Sequence, residues 1–174
     1  MQFQSSCYEF VEMQLNFSSA QGWCKGTGGH LAFIKSEEVH QFLKSHITDI
    51  NNRWIGLAYA TYDLIPESDT KALSWLDGSA LNYNNWEFAQ PSTSPADCTY
   101  VHNHTGYLTW AMINCNNLLP FICEFDLQMS PANSYSVFHI IIPLEWQLNP
   151  YLGKFSCTFS TGDGKMYYVD RQDQ

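Results

Sequence analysis

The chain has 174 residues, 45 % of them hydrophobic and 16 % aromatic, which is ample for a packed core, and only 14 % charged. That length suits one domain of about 120–150 residues plus a short extra segment. A net charge of −9, from eight Lys and Arg against seventeen Asp and Glu, argues against nucleic acid as a partner, and no run of about 18 apolar residues is present to span a membrane.

Met1 to Gln4 lacks the basic start and apolar core of a signal peptide. The chain is therefore expected to be either cytosolic or a fragment of a secreted or cell-surface protein whose signal lies elsewhere. Residues 7–13, CYEFVEM, alternate and predict a first strand. Residues 16–29 predict a short helix that Ser18 or Ser19 caps and Gly26 to Gly29 end. Residues 36–47 predict a second helix. Ser36 caps it, Glu37 and Glu38 suit its positive end, and Val39, Phe42, Leu43 and Ile47 form one apolar stripe. RWIGLAYA (53–60) reads as a strand, followed by a polar loop with a turn near Pro66. Asp77-Gly78 marks a turn before an Asn-rich loop. CTYVHN, LTWAMINC and PFICEF are short strands. Two helices followed by short strands define an α+β class. From 126 to 135 the composition is that of a linker, and 136–174 reads as strand and turn, with SVFHIIIPLEW as a buried strand.

Six cysteines, Cys7, Cys24, Cys98, Cys115, Cys123 and Cys157, contain no CxxC pair and no zinc-finger spacing to His. An even, widely spaced set suits disulfides. Two sequons, at Asn16 and Asn103, are candidate glycosylation sites. Cysteines and sequons together favour the extracellular side.

Five segments in order resemble the C-type lectin-like domain. They are SSCYEF, GGHLAFIKSEEVHQFL, the tetrapeptide WIGL (Trp54 to Leu57), SWLDGSALNYNNW and PFICE. The resemblance runs from about Ser5 to Glu124. It implies a C-type lectin-like fold of two helices and short antiparallel strands with a long loop region. It also implies the disulfides Cys24–Cys123 and Cys98–Cys115. Closing loops of about 100 and about 18 residues contributes roughly 3–5 kcal/mol each in the loop-entropy picture. Cys7 either lost its family partner by truncation or pairs with Cys157. The expected organisation is a lectin-like domain over 1–126, a linker over 127–135 and a β-rich tail over 136–174. FSCTFSTGDGKMYYVD in the tail resembles polycystic-kidney-disease repeats, which are immunoglobulin-like. The tail would then be a truncated module of that kind, in the ectodomain of a polycystin-1-like receptor; a secreted lectin-like protein with an unusual tail is the rival.

Sugar-binding members of the family hold calcium with Glu-Pro-Asn or Gln-Pro-Asp, a Glu two residues before a cysteine, and an Asn-Asp pair after a Trp. Here those positions carry Gln90-Pro91-Ser92, Ala96, and Ala111-Met112 after Trp110. Calcium takes six to eight oxygens, and carboxylates supply most of the charge. An amide, a hydroxyl, two methyls and a thioether cannot do this, so neither calcium nor another cofactor is expected. Asp97 is the one acid left nearby and reads as a loop-bracing acceptor. Glu67 and Asp69 in the earlier loop read as a solvated acidic stretch, with a different cation site as the other reading.

The expected function is a non-catalytic extracellular recognition module of a larger cell-surface receptor. It is calcium-independent and directed at a protein ligand through the long loop. Tyr59, Tyr62, Tyr83, Phe88, Tyr100 and Tyr107 are available as aromatic contacts. Pro91, Trp86 and Trp110 are expected to keep the long loop shaped; the alternative function is weak galactose-type carbohydrate binding at Gln90, Ser92, Asp97 and Trp110. An enzyme is not expected: no G-x-S-x-G, HExxH or phosphate-loop motif occurs, and His30, His40, His46, His102, His104 and His139 are scattered. His102 and His104, two apart beside the Asn103 sequon, read as exposed loop histidines, with a shared metal as the other reading.

Overall fold

In the computed structural model, the residues described are 1–59, 72–94, 96–104, 106–126 and two strands, 156–160 and 166–170, known by their backbone alone. Expectations about the buried strand near 136–146, the loop carrying Tyr62, Glu67 and Asp69, and the linker lie outside them.

The first strand is longer than its alternation suggested. A short β1 (Gln2–Phe3) turns into β2 (Ser6–Leu15). Then come α1 (Phe17–Gly26), β3 (His30–Leu31), α2 (Glu37–His46), β4 (Arg53–Tyr59) and β5 (Leu73–Trp75). The domain is completed by β6 (Asp97–His104), β7 (Tyr107–Asn114) and β8 (Leu119–Asp126). The sheet order is β1-β2-β8-β4-β6-β7, with β3 added to β8 and β5 added to β4. β2 and β8 run antiparallel from Ser6–Asp126 to Leu15–Leu119. The two ends of the domain therefore lie side by side. In the tail, β9 (Ser156–Ser160) and β10 (Met166–Asp170) form an antiparallel pair.

Alternation along the central strands sorts side chains into two cores. Tyr8, Ile55 and Ile122 face α2 and join Val39, Leu43 and Ile47. Cys7, Trp54, Phe121 and Cys123 face the other way and join Phe17, Ala20 and Cys24 of α1. Each helix thus covers one face of the sheet, the arrangement a period-2 pattern needs in order to bury both sides.

The α2 expectations hold in detail: Ser36 is the N-cap, its hydroxyl accepting from the Val39 amide, and Glu37 and Glu38 lie in the first turn. For α1 the cap is different. Asn16 Oδ1 accepts from Ser19 N at 2.8 Å, so Asn16 is the cap and Ser18 and Ser19 are already helical. An Asn side chain reaches the third amide onward as well as a Ser does, and it precedes both serines. Gly56, within WIGL, has a packing reason. A Cβ there would stand 2.5 Å from the Phe33 ring and 2.6 Å from the Leu31 carbonyl oxygen, where residues 31–33 cross β4.

The disulfides Cys24–Cys123 and Cys98–Cys115 are both present, with Cα separations of 5.5 and 5.0 Å. Cys7 is disulfide-bonded as well. The truncation reading, in which it is orphaned, is thereby overturned. Cys157 lies among the residues described by backbone alone.

Candidate functional site

The long loop hangs from the edge strand β7. Trp110 N donates to Asn85 O at 2.9 Å and Glu87 N donates to Trp110 O at 2.9 Å, so residues 85–87 run beside β7 as a one-bridge strand. The Asn85 side chain adds a bond to the Leu108 carbonyl at 2.6 Å. Beneath this clamp, Trp110 is fully buried. Trp75, Tyr83 and Trp86 pack edge-on around it at centroid distances of 5.6–5.8 Å. Trp110 therefore supports the loop from below and has no surface to offer a ligand. Its indole N–H finds no partner among the described residues.

The remaining polar groups at the sugar-site positions are already engaged in hydrogen bonds within the domain. Gln90 Oε1 accepts from the Met112 amide at 3.1 Å. Ser92 Oγ donates to Asp97 Oδ2 at 2.7 Å and accepts from Ser94 N at 3.1 Å. The Ser92 carbonyl accepts from the Tyr59 hydroxyl. Ala111 and Met112 are buried, and the Ala96 carbonyl takes the Cys115 amide at 2.9 Å. Gln90, Ser92 and Asp97 are thus brought together in one loop, but as a closed hydrogen-bonded brace. Among the described residues no group of three or more His, Cys, Asp or Glu could hold a metal. This donor set does not fit calcium.

Beside the brace, Glu87 to Gln90 form a tight turn closed by Gln90 N to Glu87 O at 3.1 Å. Ala89 sits at φ 63°, in the left-handed region that costs a non-glycine residue about 1–2 kcal/mol. The turn presents Phe88 at 97 % exposure. Tyr107, 68 % exposed at the β6–β7 turn, carries Lys44 Nζ 5.4 Å above its ring. Tyr59, Tyr83 and Tyr100 are half-buried. Tyr83 donates to Glu37 Oε2 at 2.6 Å, and burial, then that carboxylate, raise its pKa.

Among the described residues the histidines do not form a metal centre. His30 stacks on Phe33 at 4.1 Å and bonds the Leu31 carbonyl. Burial lowers the pKa of His40. His102 Nε2 lies 2.9 Å from Thr109 Oγ1 and 3.4 Å from Glu87 Oε2. A hollow of about 340 Å³, bounded by Tyr8, His30, Phe33, Lys35 and Glu124, lies away from the loop. Both Glu124 oxygens there are already bonded, to Tyr8 OH and to Phe33 N, each at 2.9 Å. Of the two sequon residues, Asn16 caps α1 and Asn103 is tied to the α2 C-terminus through Ile47 O at 2.8 Å. Sequence reading missed Asn85 and Tyr59 as loop braces. The only signal for Asn85 was its place directly before Trp86.

Two helices on opposite faces of this sheet, two disulfides and a loop clamped on β7 define a C-type lectin fold. The Lectin C-type domain family profile matches residues 13–125, and the chain belongs to that family. C-type lectin domain family 4 member G of Mus musculus is 32 % identical over 125 residues, which is 70 % of this chain and 40 % of that protein. The chain thus spans well under half of that relative. Regenerating islet-derived protein 3-gamma of Mus musculus is 31 % identical over 128 residues, 71 % of this chain and 72 % of its own length. The mouse scavenger receptor C-type lectin carbohydrate-recognition domain superposes with a TM-score of 0.62 at 30 % identity, covering 74 % of this chain and 95 % of that one.

Proposed function

We propose that this domain is an extracellular, non-catalytic recognition module that binds a protein ligand through its long loop without calcium. The observation that carries this reading is the closed brace. Gln90 is bonded to the Met112 amide and Ser92 to Asp97, while the positions that would carry the other oxygens are Ala96, Ala111 and Met112. A sugar held through calcium needs those oxygens free. Phe88, held out on a turn with a left-handed alanine, supports a protein-directed surface. A rigid exposed aromatic is the residue type that anchors protein interfaces. The family consists of binding modules, and the one hydroxyl–carboxylate pair described in the loop, Ser92 and Asp97, is tied into the brace, with Ser92 Oγ also accepting from Ser94 N.

The wider setting belongs to the same proposal. We place the lectin domain at 1–126, a linker at 127–135 and a β-rich module at 136–174, in the ectodomain of a polycystin-like cell-surface receptor. The antiparallel β9–β10 pair and the faint resemblance of the tail to immunoglobulin-like repeats support it.

The test is calorimetric titration of calcium into the oxidised protein with a chelated control, followed by a glycan array with and without chelator. No calcium heat up to millimolar concentration, and no chelator-sensitive glycan signal, are expected. Calcium binding in the micromolar range, with glycan retention that the chelator abolishes, would sink the reading in favour of a lectin. Chelator-resistant galactose binding would favour a direct carbohydrate site at Gln90, Ser92 and Asp97 over a protein ligand.

A further inference from the structure

We propose that the two sequons differ in the folded protein: Asn16 carries an N-linked glycan and Asn103 stays bare. The proposal rests on the extracellular reading, since only a chain in the secretory pathway meets the donor.

Transfer requires the asparagine Nδ2 to displace a lipid diphosphate from C1 of a lipid-linked oligosaccharide. The C1–O bond breaks, the Nδ2–C1 bond forms, Nδ2 loses one proton, and the lipid diphosphate leaves with the electron pair. The product is a secondary amide. Like a peptide bond it is planar and trans, so C1 lies on the same side as Oδ1. A glycan therefore needs open space around both Nδ2 and Oδ1.

Asn16 provides it. Oδ1 accepts from Ser19 N at an exposed position, leaving Nδ2 without a partner among the described residues. Ser18 and Ser19 beside it are exposed. One remaining Nδ2 proton is enough, because the cap uses the oxygen only. Asn103 does not provide it. Its Nδ2 donates to the Ile47 carbonyl at 2.8 Å, at the C-terminal end of α2. Its Oδ1 is enclosed by protein and has no hydrogen-bond partner among the described residues. A sugar carbon placed beside that oxygen would occupy the space that encloses it. A chain modified at 103 could not close the contact between β6 and α2, so it would be depleted from the folded, secreted population. Asn103 acts instead as a clasp between these two elements.

The sequon hydroxyls allow a test that leaves both asparagines intact. The full chain is secreted from a mammalian cell behind a secretion signal, and the folded product is mapped by peptide-N-glycosidase release in heavy-oxygen water. Wild type is expected to show the label at Asn16 and none at Asn103. Ser18→Ala should remove all of the glycan mass, and Thr105→Ala should remove none. Occupancy at Asn103 comparable with that at Asn16, or a mass loss in Thr105→Ala, overturns the assignment. A secreted, oxidised chain bare at both positions overturns it too, while leaving the extracellular reading in place. Asn103→Ala, which removes the clasp without altering the glycan pattern, should lower the thermal midpoint; an unchanged midpoint argues against the clasp.

Discussion

Trp110 separates packing from hydrogen bonding in a single position. It is fully buried, three aromatic rings pack edge-on around it, and its indole N–H has no partner among the described residues. Replacing it with Ala removes the centre of that cluster and should cost about 3–5 kcal/mol, the range for large aromatic truncations. Phe retains the ring that the neighbours touch. It loses roughly two carbon groups, about 1.5 kcal/mol at ~0.8 kcal/mol each. It also removes a buried, unsatisfied donor that costs about 1–3 kcal/mol. These opposing changes are similar in size, so Trp110→Phe should fall within about 1 kcal/mol of wild type. Denaturant unfolding of the three proteins, with m-values compared, measures the difference. If Trp110→Phe were destabilised as much as Trp110→Ala, the N–H would have to be bonded, and the loop would owe its anchor to a polar contact rather than to ring packing.

Other outcomes follow from the same reasoning. Arg53 is 2 % exposed and bonded to Asp49 and Glu12, whose side chains are 43 % and 62 % exposed. Replacing both acids with Asn and Gln should cost about 3–5 kcal/mol, because it strands a buried charge. Arg53→Met should cost less, because the acids can turn to water; equal losses would refute the asymmetry. Asp77 is pushed up by burial, but bonds from Lys35 and Ser79 outweigh this and hold its pKa at about 2. Its folded value lies below its unfolded one, so its contribution to stability is present above about pH 4 and is lost as pH falls toward 2. Asp77→Asn should flatten the stability profile across that window, and an unchanged slope would assign the acid sensitivity elsewhere. Leu43→Ala on the buried stripe of α2 should cost about 2–5 kcal/mol, against about 1 kcal/mol for Ser36→Ala at its cap; thermal melts distinguish them.

The second helix was legible because its cap and stripe are local, four apolar positions on one face and a serine before them. The first helix was legible as a helix, but its cap was misplaced, since Asn16 and Ser18 are equally good caps and only the tertiary position of Phe17, buried against Trp54, decides between them. The disulfides came from family resemblance; nothing local in Cys24 points to Cys123. For the loop, the sequence showed which oxygens were missing. It could not show that the surviving ones are already hydrogen-bonded, because the Gln90 contact to the Met112 amide spans 22 residues. Trp110 reads from the sequence both as part of the loop's frame and, in the carbohydrate alternative, as a ligand contact, for a similar reason. A tryptophan in an alternating strand reads as facing either side until its neighbours are known, and here Trp75, Tyr83 and Trp86 come from two other segments.

The closed brace also dictates how a calcium site could be restored. Ala96 is exposed, so Ala96→Glu should be tolerated, yet one carboxylate cannot hold the ion while Gln90 and Ser92 stay bonded to Met112 and Asp97. Met112→Asp alone places a carboxylate where the side chain is 7 % exposed. Desolvation should raise its pKa, so the penalty is small below the unfolded value near 4 and grows as pH rises through it. Only with Gln90→Glu, Ser92→Asn, Ala96→Glu, Ala111→Asn and Met112→Asp together does each introduced charge gain a metal to offset its burial. The expected pattern is cooperative. The single variants should bind no calcium up to millimolar concentration, and the combined variant should show a calcium-dependent rise in thermal midpoint. Micromolar binding by Ala96→Glu alone would mean that the oxygens of Gln90, Ser92 and Asp97 are free to turn inward, and the brace would then be a resting state of an open site.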